Sequence, residues 1–314
     1  MSSLTEVGVE TRLVSIVIPA YNYASFLVRA IESVLNQDYQ NIELIVLDDG
    51  STDNTRKILE QYGDAFRWQS HENMGQANTL NKGWKLAKGD VLSYLSADDE
   101  LLPNAVSASL RFLQDDVVLT YCDFNLFDPS SRLIRKVTAP DFDYCEMFSQ
   151  LVCHPGPGVF MTREAFEAAG LWNSSYRQMP DYDYWLRLGL QGRFVRVPEV
   201  LASFRVHEQS QTFAVADEKK ALEPLQIISN YIDSNKMPPE LEALKIVALS
   251  NAWIAVAQLH TRAGRLFLGW RAFQQAFIIY PRNFTRLRTG KIILNSLLNR
   301  SLHRLVRWKN SLLR

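Results

Sequence analysis

Three short apolar runs, two of which run into a pair of aspartates, restrict this chain to a narrow set of folds. Val14-Ser15-Ile16-Val17-Ile18 stops at Pro19. Glu43-Leu44-Ile45-Val46-Leu47 stops at Asp48-Asp49-Gly50-Ser51, and Asp90-Val91-Leu92-Ser93-Tyr94-Leu95-Ser96 leads to Asp98-Asp99. Runs this short and this rich in Val, Ile and Leu read as strands buried on both faces. Between and after them, apolar residues recur at helical spacing: Leu27, Ala30, Ile31 and Val34, then Ile58, Leu59 and Tyr62, then Ala77, Leu80, Trp84 and Ala87. Thr52 or Asp53 is placed to cap the second of these helices and Gly89 to end the third. Buried strands joined by helices of this length pair mostly in parallel, with helices on both faces. The expected class is therefore α/β.

The pattern continues through a helix from Pro103 to about Asp115, a strand at Val117–Tyr121 and a strand at Val159–Thr162. A helix near Arg163–Ala169, another at Asp181–Leu190, and strands at Phe194–Val197 and Val200–Val206 follow. Beyond Gln211 strand signals cease and Met237-Pro238-Pro239 marks a junction between helices. The expected division is a domain over residues 1–212 and a helical, basic region over 213–314. The formal charge of zero conceals an asymmetry. From Ile246 onward there are twelve Lys or Arg and no Asp or Glu, so the preceding residues carry 22 basic against 34 acidic groups. Such an imbalance suggests a surface turned toward an anionic partner. Three cysteines at no metal-like spacing fit a reducing compartment. The first apolar run is too short for a signal peptide or a span, so the expected location is cytoplasmic.

At the end of a strand, the Asp98-Asp99 pair suits a hard divalent cation that also holds a substrate's phosphates, on the edge where open α/β sheets bind ligands. The plain alternative for such a pair is a solvated turn. Four segments are expected to converge there: Pro19-Ala20-Tyr21-Asn22, Asp48-Asp49-Gly50-Ser51, Asp98-Asp99 and the helix start at Asp181.

In order and spacing these pieces, with Asp53-Asn54-Thr55, Asn73-Met74-Gly75, Asn81-Lys82-Gly83, Ser96-Ala97, Asp181-Tyr182-Asp183-Tyr184-Trp185 and Arg205-Val206-His207, resemble the inverting glycosyltransferases of family 2. The resemblance covers roughly residues 12–208. It implies the GT-A fold, a Rossmann-like sheet flanked by helices, here with a C-terminal helical extension. It also implies transfer of a sugar from a nucleoside-diphosphate donor, UDP favoured, to a hydroxyl of a glycan or lipid-linked glycan, with Mn²⁺ or Mg²⁺.

By the same resemblance Asp49 accepts from the ring nitrogen of the base, while Pro19, Ala20, Tyr21 and Asn22 line the base pocket. Asn73 and Gly75 shape the neighbouring loop, with Gly75 free to take positive φ. Asp98 reaches the ribose and Asp99 holds the metal, joined by His207. Asp181 is the general base, with Asp183 as its rival. Ser96 stands where many members carry a further Asp, and Pro180 where they carry Glu. His154-Pro155-Gly156-Pro157-Gly158 suits an acceptor-site rim or a plain connection. Trp172 and Trp185 stand where sugar-stacking aromatics would be useful, although Trp185 reads as core.

Leu294, Leu298, Leu302, Leu305, Trp308 and Leu312 share one face of a C-terminal helical pattern and Arg300, Arg304, Arg307 and Arg314 another. A basic amphipathic helix with Trp at its apolar edge reads as one lying on an anionic membrane, here the inner face, or else docked on protein. Nucleic acid is not expected, since no binding motif accompanies the charge. A dehydrogenase would show Gly-x-Gly-x-x-Gly after the first strand, where this chain has Pro19-Ala20-Tyr21-Asn22. A nucleotidyltransferase would carry a glycine-rich phosphate loop near the start, also missing. A non-catalytic sugar- or nucleotide-binding module on the same fold stays open.

Overall fold

The computed structural model describes residues 12–153, 155–207, 215–234, 236–285 and 290. They group into two compact units. The first comprises Met1–Phe142, Cys153–Ser175 and Pro180–Ser210; the second comprises Asp143–Val152, Tyr176–Met179 and Gln211–Arg314.

In chain order the elements are β1 (Val14–Ala20), α1 (Ala24–Leu35), β2 (Ile42–Asp48), α2 (Thr55–Gln61), β3 (Arg67–Ser70), α3 (Gln76–Leu86), β4 (Val91–Tyr94), β5 (Glu100–Leu101), α4 (Ala105–Phe112), β6 (Val117–Phe127) and β7 (Leu133–Val137). Then come α5 (Tyr144–Gln150), which belongs to the second unit, β8 (Phe160–Thr162), α6 (Arg163–Ala169), α7 (Pro180–Leu188) and β9 (Arg193–Arg205). The strands form one sheet in the order β3-β2-β1-β4-β8-β6-β9-β5, with β7 paired to β6. β3, β2, β1 and β4 are mutually parallel, with Val14 opposite both Ile42 and Val91. β8 runs antiparallel to β4 and β6, and β9 parallel to β6. The C-terminal ends of β2, β1 and β4 therefore open side by side on one edge.

Ile16, Ile18, Val46, Leu27, Ile31 and Leu59 belong to the core, all fully buried. Helix α3 lies so close to β1 that a Cβ on Gly83 would stand 2.3 Å from Val17 Cγ1. Gly89 has a similar role and not the capping one expected: α3 ends at Leu86, and a Cβ at Gly89 would stand 2.6 Å from Leu13 O. Asp53 does not cap α2 from the N-cap position, which Asn54 occupies without a side-chain bond. Its carboxylate instead joins two helix starts, accepting Ala24 N at 3.0 Å and Thr55 N at 2.9 Å. The two strands expected at 194–206 are one, β9, with a register shift where Pro198-Glu199 fall opposite the Cys122–Asp123 step of β6.

The second unit adds α8 (Glu218–Ala221), α9 (Glu223–Asp233), α10 (Lys245–Arg262) and α11 (Leu266–Ile279) to α5. Helices α10 and α11 pack closely, since a Cβ at Gly269 would stand 2.5 Å from Thr261 Oγ1. Ser250 Oγ donates to Ala276 O at 2.9 Å across the same pair. Buried Glu223 accepts the backbone N–H groups of Arg177, Gln178 and Met179 at 2.8, 2.6 and 3.1 Å. Among the described residues Pro239–Arg262 is long and apolar enough to cross a membrane, but Ala248, Ala252, Ile254, Val256 and Ala257 are buried in this unit. The expected helix from Ile292 and the rim residue His154 lie outside the described residues.

Candidate active site

The shared strand edge is acidic, and each acid is held differently. Asp48, the last residue of β2, is spent on structure: its Oδ1 accepts Ser51 N at 3.0 Å and its Oδ2 accepts Ser70 Oγ at 2.7 Å. Asp49 follows. Its Oδ1 accepts Met74 N at 2.7 Å, its Oδ2 accepts Gly75 N at 2.9 Å, and its carbonyl accepts Asn73 Nδ2 at 3.0 Å. The Asn73-Met74-Gly75 loop is thereby pinned against the turn after β2. Gly50, at φ 74°, makes this approach possible, because a Cβ there would stand 2.8 Å from Asn73 N. Gly75 has φ 85° and starts α3. His71 Nδ1 lies 3.6 Å from Asp49 Oδ1.

Asn22, itself at φ 59°, links this turn to the end of β1: its N–H donates to Ser51 Oγ at 2.9 Å and its Oδ1 accepts Thr52 N at 2.8 Å. Pro19 and Ala20 are buried within β1, while Tyr21 stands 45% exposed. Of the four, Tyr21 is the one with a face to offer a ring.

Beyond β4 the chain makes a tight turn in which Asp99 N donates to Ser96 O at 3.0 Å. Asp98 and Asp99 are both buried there. His207 Nε2 and Asp98 Oδ2 are 2.8 Å apart, and the imidazole packs on Phe26 and Tyr23 with ring centroids 5.1 and 5.9 Å away. Asp99 Oδ1 accepts Arg205 N at 2.9 Å. The Arg205 guanidinium donates to Asp98 O at 3.0 Å, to Asp128 O at 3.1 Å and to Ser131 Oγ at 2.8 Å, and it pairs with Glu100. Burial and then the charge of Asp98 hold the Asp99 carboxyl well above the usual range. The Tyr23 phenol is raised by burial and by both acids.

Asp181 is the second residue of α7, after a proline that suits a first helical turn. Its Oδ1 accepts Tyr182 N at 2.9 Å, and Cys153 Sγ lies 4.0 Å from its Oδ2. Burial raises its carboxyl above the ordinary value. Burial also holds Tyr94, at the end of β4, well above the phenol range, followed by the charges of Asp181, Cys153 and Asp99. Trp172 packs against both Tyr94 and Trp185, with ring centroids 5.3 and 6.5 Å away, so α7 lies beside the end of β4, where one phenol feels both Asp99 and Asp181. Asp183 is occupied by Arg187, at 3.1 Å to Nε and 2.9 Å to Nη2.

One expectation changes. Trp172 is buried like Trp185 and packs against Trp84 and Tyr94 at 5.7 and 5.3 Å, so it belongs to the core rather than to a sugar-stacking surface. The Asn81-Lys82-Gly83 segment is also structural: Asn81 donates to Trp172 O at 2.9 Å and accepts Trp172 N at 3.0 Å. Sequence reasoning missed Tyr23, Tyr94, His71 and the reach of Arg205. Tyr94 had a signal, as a polar aromatic ending a buried strand beside acids; the others had none.

No group of three or more His, Cys, Asp or Glu side chains arranged to hold a metal occurs among the described residues. The donor set nonetheless fits a cation that takes part of its shell from a ligand. Two buried carboxylates stand side by side, Asp99 held high first by burial and then by the charge of Asp98, with His207 Nε2 2.8 Å from Asp98 Oδ2. Asp99 and His207 are the residues that could supply protein ligands. A cavity of about 280 Å³ lined by Gln37, Ile42, Leu44, Phe66 and Arg67 lies at the starting ends of β2 and β3, the edge away from these acids.

Residues 15–170 match the model of glycosyl transferase family 2. An uncharacterised glycosyltransferase of Rickettsia typhi is 34% identical over 229 residues, 68% of this chain and 70% of the relative. Chondroitin synthase of Escherichia coli is 30% identical over 214 residues, which span 66% of this chain but 31% of that enzyme. Among solved structures, S. aureus TarS residues 1–349 with UDP-GlcNAc superimposes at a TM-score of 0.60 and 15% identity, over 86% of this chain and 92% of that one. The mannosyltransferase PcManGT of Pyrobaculum calidifontis, with GDP-Man and Mn²⁺, does so at 0.62 and 16%, over 94% and 87%. The fold is of the GT-A type, and with an acidic strand edge inside the matched region, this chain belongs to glycosyltransferase family 2.

Proposed function

We propose that the chain is an inverting, metal-dependent hexosyltransferase that moves a sugar from a nucleoside-diphosphate donor, UDP-linked by preference, to a hydroxyl of a glycan or lipid-linked glycan. The observation that carries the reading is the pairing of unlike acids on one edge. Asp98 and Asp99 lie buried together, while Asp181, across Tyr94, is made more basic by burial. Support for the donor class comes from the complexes of similar structures with UDP-GlcNAc and GDP-Man.

In this reading Asp49 and the loop it fixes receive the base, with Tyr21 against the ring. Asp98 receives the ribose. Asp99 and His207 would hold a divalent cation that, when bound, neutralises charge building on the departing diphosphate. Asp181 accepts the proton of the acceptor hydroxyl as that oxygen attacks the anomeric carbon, on the side opposite the leaving group. A carboxylate with raised basicity suits that task, and one displacement inverts the centre with no sugar bound to the enzyme. Residues 1–212 would form the catalytic domain. The basic segment beyond residue 290 would rest on the inner face of an anionic membrane, near an acceptor of polysaccharide assembly.

Thermal denaturation with UDP, dTDP or GDP, each with and without Mn²⁺, tests the donor reading, because a ligand bound to the folded state raises the transition temperature. The expected result is a metal-dependent rise largest for UDP. No rise with any of the three overturns the reading, and a rise without turnover of UDP-sugars assigns a binding module instead.

A further inference from the structure

Helix α11 shows two faces of opposite character. Gly269, Ala272 and Ala276 are buried, whereas Phe267 is 71%, Trp270 62%, Phe277 52% and Ile278 70% exposed, with Leu266 also exposed. At 100° per residue the exposed apolar residues cover an arc of roughly 120°, interrupted only by Gln274. Arg271 borders that arc, its guanidinium 5.9 Å from the Phe267 ring, and Arg262 and Arg282 are exposed nearby in the chain. Soluble chains rarely leave four large apolar side chains clustered in water without an occupant for them.

We propose that this face of α11 is a docking surface for an anionic lipid bilayer. It extends the membrane reading of the terminal segment to a second, separately testable surface. The charge distribution selects the occupant. Among the described residues from Ile246 onward the charged side chains are Arg262, Arg265, Arg271 and Arg282, with no Asp or Glu. A second copy would bring the same positive surface against this one. The segment beyond residue 290 would add leucines at helical spacing but also Lys291, Arg300, Arg304, Arg307 and Lys309. Both occupants therefore meet like charge, while an acidic headgroup layer meets opposite charge. Trp and Phe with flanking arginine is the composition that lodges at the boundary between headgroups and acyl chains.

The test is co-sedimentation of the full chain with vesicles of phosphatidylcholine plus phosphatidylglycerol, against phosphatidylcholine alone. The triple variant Phe267→Ser, Trp270→Ser, Ile278→Ser is expected to bind the anionic vesicles at least ~10-fold more weakly. All three side chains are exposed, so its thermal transition and its donor hydrolysis in solution are expected to match the parent chain. The charge reversal Arg271→Glu with Arg282→Glu provides an independent arm and is expected to weaken binding by about tenfold or more. Undiminished sedimentation of both variants overturns the proposal. A triple variant that changes oligomeric state while sedimenting normally assigns the face to a second copy. One that exposes the segment beyond residue 290 to protease while sedimenting normally assigns it to that segment. Removing residues 291–314 separately tests the terminal segment, and loss of sugar transfer in solution bears only on the catalytic reading.

Discussion

The turn after β2 and the start of α7 both present an aspartate at the strand edge, yet they treat it in opposite ways. Asp49 gives each oxygen to a backbone N–H, from Met74 and Gly75. Asp181 receives one such bond, from Tyr182, and burial raises its carboxyl. A carboxylate tied on both oxygens makes a fixed acceptor and holds its surroundings in place. One held by a single backbone N–H and a long contact from the Cys153 thiol, in a partly desolvated position, keeps its appetite for a proton. The two arrangements match recognition and proton transfer, respectively, and substitutions at each can break that contrast.

The largest effect is expected at Asp181. Asp181→Asn should lower the turnover rate at least ~10²-fold, the scale of losing a general base, with donor affinity nearly unchanged in nucleotide titrations. Transfer near the parent rate would remove the contrast altogether. Asp49→Ala should act on binding and stability together. Leaving the Met74 and Gly75 N–H groups without their acceptor costs about 2 kcal/mol in urea unfolding, and nucleotide affinity should fall with the loosened loop. A variant as stable as the parent would show that the loop is held by something else.

Arg205→Lys sharpens the picture at the third acidic site. Lysine keeps the charge but cannot reach Asp98 O, Asp128 O and Ser131 at once. The Mn²⁺ concentration for half-maximal activity should rise about tenfold, as when a metal ligand loses its outer partner, with the rate at saturating metal little changed. An unaltered metal requirement would make Arg205 a purely structural residue.

The smallest effect concerns pH. A carboxyl whose value is higher folded than unfolded binds its proton more tightly in the folded state, so stability declines as pH rises from about 3.9, the unfolded value, through the folded one. Above that window the cost of the buried charge is complete. Asp181→Asn should therefore unfold at a slightly higher temperature than the parent at pH 7 and lose that advantage toward pH 4. A variant less stable at pH 7 would contradict the burial argument.

The sequence revealed the parts of this fold that depend on burial. β1, β2 and β4 are sealed on both faces, and their unbroken Val, Ile and Leu runs say so. β3 was missed because Arg67-Trp68-Gln69-Ser70 forms a half-exposed edge strand held by backbone pairing to β2. β9 read as two strands because Pro198-Glu199 interrupt its alternation, and only pairing with β6 bridges them. In the site, the acids were legible from their positions after strands. Their partners were not: Arg205 meets Asp99 across 106 residues and His207 meets Asp98 across 109, contacts that no local pattern encodes. Trp172 misled for a related reason, since an aromatic near a sugar site looks the same in sequence whether it faces solvent or Trp84.

The hairpin joining β6 to β7 shows what such distant ties imply for redesign. Its tip, Asp128 and Ser131, looks like a surface loop open to exchange, but it is one of the anchors of Arg205. Grafting a different loop there would also loosen the turn that carries Asp98 and Asp99, because the same guanidinium donates to Asp98 O and pairs with Glu100. A transplant that leaves Asp128 and Ser131 in place is the version that should preserve turnover.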